Sequence, residues 1–421
     1  MEVVPDPLSL PRLRAVTRPI PAPEDPLLFA SADDPLVWLR RGDGMVAAGA
    51  EVLRIDVGED GRLDAIADLW RAIASATDVD DSVGLPGTGL VGFGAFAFDD
   101  ASSAPSTLIV PSIVIGRRGG RGWVTRIGRL DGPAPADPEA HGYGPHWSAT
   151  LGPGELNPAA HVEAVADALA AIEAGEVEKV VVARDIAGTL PADADLRRLV
   201  RALAEGYPDT WAYAVDGIVG ASPETLVTVS GGTVTARVLA GTRARGANAD
   251  EDTAITAELA TTPKDLDEHR YAVQSVLTAL EPHTSALVAA EQPFTLKLPN
   301  VWHLATDVEG TLANGDSALD MVRALHPTAA VAGTPTPAAL AAIRRIEPFD
   351  RGRYAGPVGW VDGNGDGEWA IALRCAQIGP AEGAHRAVTA HAGGGIVAGS
   401  QPEAELLETR VKFRPIVDAL A

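Results

Sequence analysis

The chain has 421 residues and one cysteine, Cys375. That excludes an intrachain disulfide and any zinc site built from several cysteines, and a reducing cytoplasm is the natural setting. Positive charge is also scarce. Lys and Arg number 34 against 57 Asp and Glu, a formal charge of −23. A face that grips nucleic-acid phosphates must be basic, and so must a polybasic membrane patch, so neither nucleic acid nor membrane is an expected partner. Long unbroken apolar runs are missing. The two longest uncharged stretches are VGLPGTGLVGFGAFAF (83–98) and LHPTAAVAGTPTPAALAAI (325–343). Glycines thin the first, and Pro327, Pro335 and Pro337 break the second, so neither reads as a membrane helix. The opening, MEVVPDPLSLPRLR, lacks the charged and then apolar pattern of a signal peptide. A soluble protein is expected.

Several catalytic signatures are absent too: there is no GxxxxGK[ST], no HExxH and no GxSxG. The run HAGGGIVAGS (391–400) does not continue into a dinucleotide fingerprint, and the nine histidines show no zinc spacing. Nucleotide, zinc-protease and serine-hydrolase readings have little support.

Hydrophobic residues make up 46% of the chain, enough for a large core without disulfides. The Pro- and Gly-rich stretch 131–158 reads as a long connection between an N-terminal part and a C-terminal part. Before it, TLIVPSIVIG (107–116) suggests strands and LDAIADLWRAIA (63–74) a helix. After it, Asn157 and Pro158 make a helix start, with Val162, Val165, Leu169 and Ile172 at helical spacing and Gly175 at the stop. KVVVARDI (179–186) reads as a strand, and 226–242 as two strands around Ser-Gly-Gly. A helix covers about 264–280, a strand pair about 354–378, and a last helix begins near Pro402, with Pro415 expected to kink or loosen its end. Strand pairs joined by tight turns, with helices between them, give an α+β class: antiparallel sheets with helices packed outside.

On the last helix, Glu405, Glu408 and Lys412 fall within about 60° around the axis, next to an apolar face of Leu406, Phe413, Ile416 and Leu420. The default reading is an exposed ion pair. The alternative is a site: two carboxylates one turn apart suit Mg²⁺, and a glycine-rich turn before the helix would offer backbone N–H groups to an anion. Glu268, near the start of the 264–280 helix, could share a cation with Glu408 if the two helices meet. Lys179 opens an apolar strand, where lysine is usually a gatekeeper against aggregation; partial burial would instead make it a usable base. Glu224 follows Pro223 in an expected turn. It is either solvent-facing or a carboxylic acid kept protonated by an apolar pocket.

Read together, the segments form an ordered set. KVVVAR (179–184), ASPETL (221–226), VLAGTRARG (238–246) and DEHRYAV (267–273) are followed by WHLATDVEG (302–310) and LHPTAAVAGTP (325–335). EPFDRGRYAGPVGWVDGNGDGEWAIALRCA (347–376) and AGGGIVAGSQPEAELLETRVKFRP (392–415) complete it. Order and content resemble the chorismate-utilising enzymes, most closely isochorismate synthases. The resemblance is dense over 157–417, with a weaker trace at GFGAFAFDD (92–100), leaving 1–156 as a variable N-terminal half.

The resemblance implies one large α+β domain over 1–421, two antiparallel sheets face to face with helices around them, and an internal loop at 131–158. It implies Mg²⁺, the small-molecule substrate chorismate, a monomer, and a place in menaquinone or siderophore biosynthesis. By position, Glu268 and Glu408 match the family's metal ligands and Glu405 a carboxylate acting through water. Lys179 matches the lysine that activates the attacking water, and Glu224 the acid that protonates the departing hydroxyl. Arg374 and Tyr354 match residues that bind the enolpyruvyl carboxylate. Gly241, Thr242, Ala330, Gly393, Gly394 and Lys412 match substrate-lining positions, and His303 a histidine near the ring carboxylate. Retention of Lys179, with Ala240 where aminodeoxychorismate synthases carry lysine, favours water over ammonia as nucleophile. Salicylate synthase is the nearest competitor, and a catalytically silent binding protein is the alternative from another class.

Overall fold

The structure is a computed structural model that describes residues 11–297, 301–313 and 315–421. Within helices and strands, the side chains of Ala240, Thr242, Ala244, Lys264, Asp265, Glu268 and Val301 lie outside the described set. Two sheets dominate. Among the described residues, the larger has 13 strands. It runs from Thr150–Pro153 through Lys179–Pro191, His385–Val397, Cys375–Glu382, Ile218–Ser222 and Trp211–Val215. It continues through Val37–Arg40, Asp43–Ala47, Ile113–Arg118, Arg121–Arg129 and Leu13–Ile20 to Asp78–Asp81. The smaller has 10 strands among the described residues. It is centred on Thr233–Ala244, Thr225–Ser230, Gly367–Ile371, Pro357–Asp362 and Val91–Ala95. Among the described residues, pairing is antiparallel except where Leu13–Ile20 meets Asp78–Asp81. This is the expected α+β architecture.

Side-chain alternation explains the layers. Trp38 and Met45 point into a core shared with the smaller sheet, alongside Phe93, Leu108 and Trp360. Their neighbours Val37, Leu39 and Val46 point the other way. There they meet Leu199, Val200 and Leu203 of the helix Arg197–Gly206 and Phe413, Ile416 and Leu420 of the helix Pro402–Leu420. Glu368, in the smaller sheet, joins the layers. It accepts hydrogen bonds from Trp38 Nε1 at 2.9 Å, Trp360 Nε1 at 3.1 Å and Arg118 Nη2 at 2.9 Å. The helix Pro263–Leu280 packs on the strand Thr233–Ala244. No helix among the described residues is long and apolar enough to cross a membrane.

Local signals held where they were local. Asn157 caps the helix Pro158–Glu173 by accepting from Ala159 N–H at 3.0 Å and Ala160 N–H at 3.1 Å. Gly231 and Gly232, both at positive φ, close the hairpin between Thr225–Ser230 and Thr233–Ala244, as a tight two-residue turn requires. The last helix continues past Pro415 to Leu420. Two apolar runs were divided instead. TLIVPSIVIG becomes Ser106–Pro111 in the smaller sheet and Ile113–Arg118 in the larger, with a corner at Ser112. The 354–378 segment becomes a hairpin in the smaller sheet and then Cys375–Glu382 in the larger. The stretch 131–149 is without helix or strand, and the connection ends in the strand Thr150–Pro153.

Candidate active site

The site forms where the chain changes sheets. Ile218–Ser222 leaves the larger sheet and passes through Pro223 and Glu224 into Thr225–Ser230 of the smaller one. Gly367–Ile371 makes the opposite passage through Ala372, Leu373 and Arg374 into Cys375–Glu382. The two crossings are tied together: Ile371 N–H donates to Glu224 O at 3.1 Å, Ala221 N–H to Arg374 O at 3.3 Å, and Ser222 Oγ to Ile371 O at 2.6 Å. Arg374 stands at φ 52°, a left-handed conformation costly for a side chain with a Cβ and held by this packing. A cavity of about 350 Å³ opens beside the crossings.

Into it point Lys179, Glu224, Gly241, His303, Ala330, Tyr354, Arg374, Gly393, Glu405, Glu408 and Lys412. Gly394 stands directly behind the carboxylates: a Cβ there would lie 2.9 Å from Glu405 Oε2. Of the residues expected from sequence, the Glu268 and Thr242 side chains lie outside the described residues. Gly241, at φ 80°, sits at a bulge between Ala240 and Thr242 and lines the cavity.

The default readings of three residues are corrected. Lys179 is not at a bare strand edge; Thr334 pairs on one side and Val397 on the other. Its stem passes over Gly395, where a Cβ would come within 2.9 Å of Lys179 Cε. The Glu408–Lys412 pair faces the cavity, with Lys412 Nζ 2.5 Å from Glu408 Oε1 and donating to Gly393 O at 2.7 Å. Glu224 is half-buried in the crossing rather than on a solvent-facing turn. The glycine run is corrected as well. Gly393–Gly395 lie in the strand His385–Val397, not in a turn, and the missing side chains of Gly394 and Gly395 make room for Glu405 and Lys179. The turn is at Gly399, φ 90°.

The electrostatics follow from burial and crowding. Burial pushes the Glu224 carboxyl up to about 7, although Arg374, Lys179 and Lys412 pull the other way. Burial, with the charges of Arg374 and Lys412, brings His303 down to about 4, so its ring is neutral at pH 7. Burial also lowers Arg374 and raises Tyr354, whose ring stacks on His391 at 5.1 Å. Burial would raise Glu408, but the charge and hydrogen bond of Lys412, then Arg374 and His303, outweigh it and hold Glu408 below the usual carboxylate range. Glu405 is raised, first by burial and then by the Glu408 charge, against a hydrogen bond from Ser400.

A divalent cation fits this donor set. Glu405 and Glu408 present hard oxygens on one helical face, and their mutual repulsion is what a cation relieves. Among the described residues no group of three or more His, Cys, Asp or Glu is arranged around a single metal position. Sequence reasoning missed Arg243, Arg351, Gly395 and Ser400, which also line the cavity. Arg351 had a local signal, an i,i+4 pairing with Glu347 inside EPFDRGRYAG.

The family of chorismate binding enzymes matches residues 138–421. A Mycobacterium tuberculosis protein provisionally named isochorismate synthase MenF is 40% identical over 349 residues, 79% of this chain and 87% of that protein. Isochorismate synthase DhbC of Bacillus subtilis is 40% identical over 268 residues, 61% of this chain and 66% of that protein. Among solved structures, a Bacillus anthracis protein provisionally described as a 2,3-dihydroxybenzoate-specific isochorismate synthase, DhbC, is 31% identical. It superposes with a TM-score of 0.74 over 94% of this chain and 98% of that one. The matched region contains every residue that lines the cavity, and the chain belongs to the chorismate-binding enzyme family.

Proposed function

We propose that this chain is an isochorismate synthase, which adds water at C2 of chorismate and releases the C4 hydroxyl. One observation carries the reading. Lys179 and Glu224, far apart in sequence, enter one cavity that also holds cations for a dianion and a carboxylate pair for a metal. On this reading Lys179 takes a proton from the attacking water. Glu224, half-protonated near neutrality because burial lifts it to about 7, gives one to the departing hydroxyl. The proton taken and the proton given cancel, as an isomerisation requires.

Arg374 can clamp the enolpyruvyl carboxylate with two parallel hydrogen bonds, beside Tyr354. Neutral His303 and Lys412 serve the ring end, Gly241, Ala330, Gly393 and Gly394 shape the walls, and Thr242 keeps its role as a matched substrate-lining position. Magnesium, held by Glu408 and Glu268 with Glu405 acting through water, would supply the positive charge that neutralises the ring carboxylate. Residues 1–421 would work as one unit, because strands from both halves build one shared core. On this reading the enzyme works as a monomer in the cytoplasm, where its single buried thiol would stay reduced.

The test is chromatography of products from chorismate and Mg²⁺, with and without ammonium. Isochorismate alone is expected. Salicylate as the dominant product would move the chain to the pyruvate-eliminating relatives, and chorismate binding without turnover would make it a silent member.

A further inference from the structure

The strand that begins with Lys179 has a gap along one edge. On one side it pairs with His385–Val397 over its whole length. On the other, Gly333–Thr334 covers only Lys179 and Val180, and Val181 N–H donates to Ala332 O at 2.9 Å. Thr150–Pro153 takes over from Ile186. Between them, no strand among the described residues meets the Val181 carbonyl or the Ala183 N–H, and a buried backbone group is costly to leave unpaired.

Two side chains fill the gap. Glu347 Oε1 accepts from Ala183 N–H at 2.8 Å, and Arg351 Nη2 donates to Val181 O at 2.9 Å. They bind each other through Arg351 Nε to Glu347 Oε2 at 2.8 Å and Arg351 Nη2 to Glu347 Oε1 at 2.6 Å. Both side chains are nearly closed to solvent, at 2% and 1% exposure. Arg351 reaches further, donating from Nη1 to Val331 O at 2.9 Å, next to the cavity residue Ala330. Its guanidinium lies 5.9 Å from the Tyr354 ring centre.

We propose that the Glu347–Arg351 pair is a positioning device. It stands in for the missing length of strand and thereby holds Lys179, the Ala330 segment and Tyr354 in one arrangement around the cavity. A buried ion pair adds little net stability over apolar packing, whereas its fixed hydrogen-bond geometry sets relative positions to within a fraction of an ångström. The proposal rests on the reading that Lys179 acts on the attacking water.

Arg351→Lys keeps the charge and replaces the planar fork with a single point donor. For that variant kcat for isochorismate is expected to fall about tenfold or more with KM within about threefold, since misplaced groups lose turnover before binding. Amide exchange across 179–184 is expected to accelerate. Arg197→Lys disturbs a pair of similar burial, Asp195–Arg197, with 2.8 Å between charges and 3% exposure on each side, away from the cavity. It is expected to lower the melting temperature and leave kcat unchanged, which separates positioning from plain stability. Glu347→Gln, which keeps an acceptor for Ala183, takes the place of Arg351→Lys if that variant does not fold. Wild-type kcat in the folded variant, or unchanged exchange across 179–184, overturns the proposal. Failure of the underlying reading looks different. Lys179→Ala would then stay active, or the unaltered chain would make no isochorismate, and the exchange measurement alone would decide whether the pair holds the strand.

Discussion

Glu224→Gln is the sharpest test of how the cavity divides its proton chemistry. The carboxyl normally titrates at 4.5 and in the crossing is lifted to about 7. That difference makes the charged form roughly 3 kcal/mol less favourable in the cavity than in water. At pH 7 about half of the side chains carry the proton, against about 0.3% for an ordinary glutamate. The sign is fixed by the role. An acid must be protonated, so the factor in kcat/KM that Glu224 contributes should be full well below pH 7 and fall about tenfold per pH unit above it, on top of the opposite requirement of the general base. Glutamine keeps the shape but has no proton to give, so kcat/KM should fall by about 10²- to 10⁴-fold, and the alkaline limb near 7 should vanish. The assay is isochorismate formation by chromatography from pH 5.5 to 9, with circular dichroism to verify folding. A folded glutamine variant within about threefold of the parent rate, or one retaining the same alkaline limb, would refute the assignment.

Lys179→Ala is expected to abolish turnover while the melting curve stays close to that of the parent, because strand pairing on both sides of residue 179 is through the backbone; substantial activity in the folded variant would remove Lys179 as the base. Gly394→Ala would put a methyl group 2.9 Å from Glu405 Oε2 and is expected to raise the Mg²⁺ concentration for half-maximal activity by about tenfold or more; an unmoved titration curve would separate Glu405 from the metal. Glu268→Gln and Glu408→Gln should each shift the same titration, and no shift in either would reject a cation shared between the two helices.

Much of the fold was legible because its signals are short-range. Asn157, Pro158 and Gly175 mark their helix by capping and by left-handed geometry, and Gly231–Gly232 mark the hairpin by positive φ. The face shared by Glu405, Glu408 and Lys412 follows from 100° per residue, a rule that needs no tertiary contact. The division of 107–116 and 354–378 between two sheets was not legible. A strand's alternation says which side chains share a face and says nothing about which sheet the strand joins. The glycine run was misplaced for a related reason: its glycines make room for other elements, Gly393 for the Val182–Ala183 backbone of the neighbouring strand, Gly394 for Glu405 of the next helix and Gly395 for the distant Lys179, rather than for a local turn.

Most element types, the acidic and disulfide-free character of the chain, and the identities of the groups able to do the chemistry can be read from the order of residues alone. It takes the folded chain to place Glu224 and Arg374 at the two crossings between sheets, to give Lys179 partners on both sides, and to set an ion pair against the strand beside it. The physical reason is that a side chain's proton affinity and reach are set by what surrounds it. Those surroundings come from segments tens to hundreds of residues away, which meet only when both sheets have closed on their shared core.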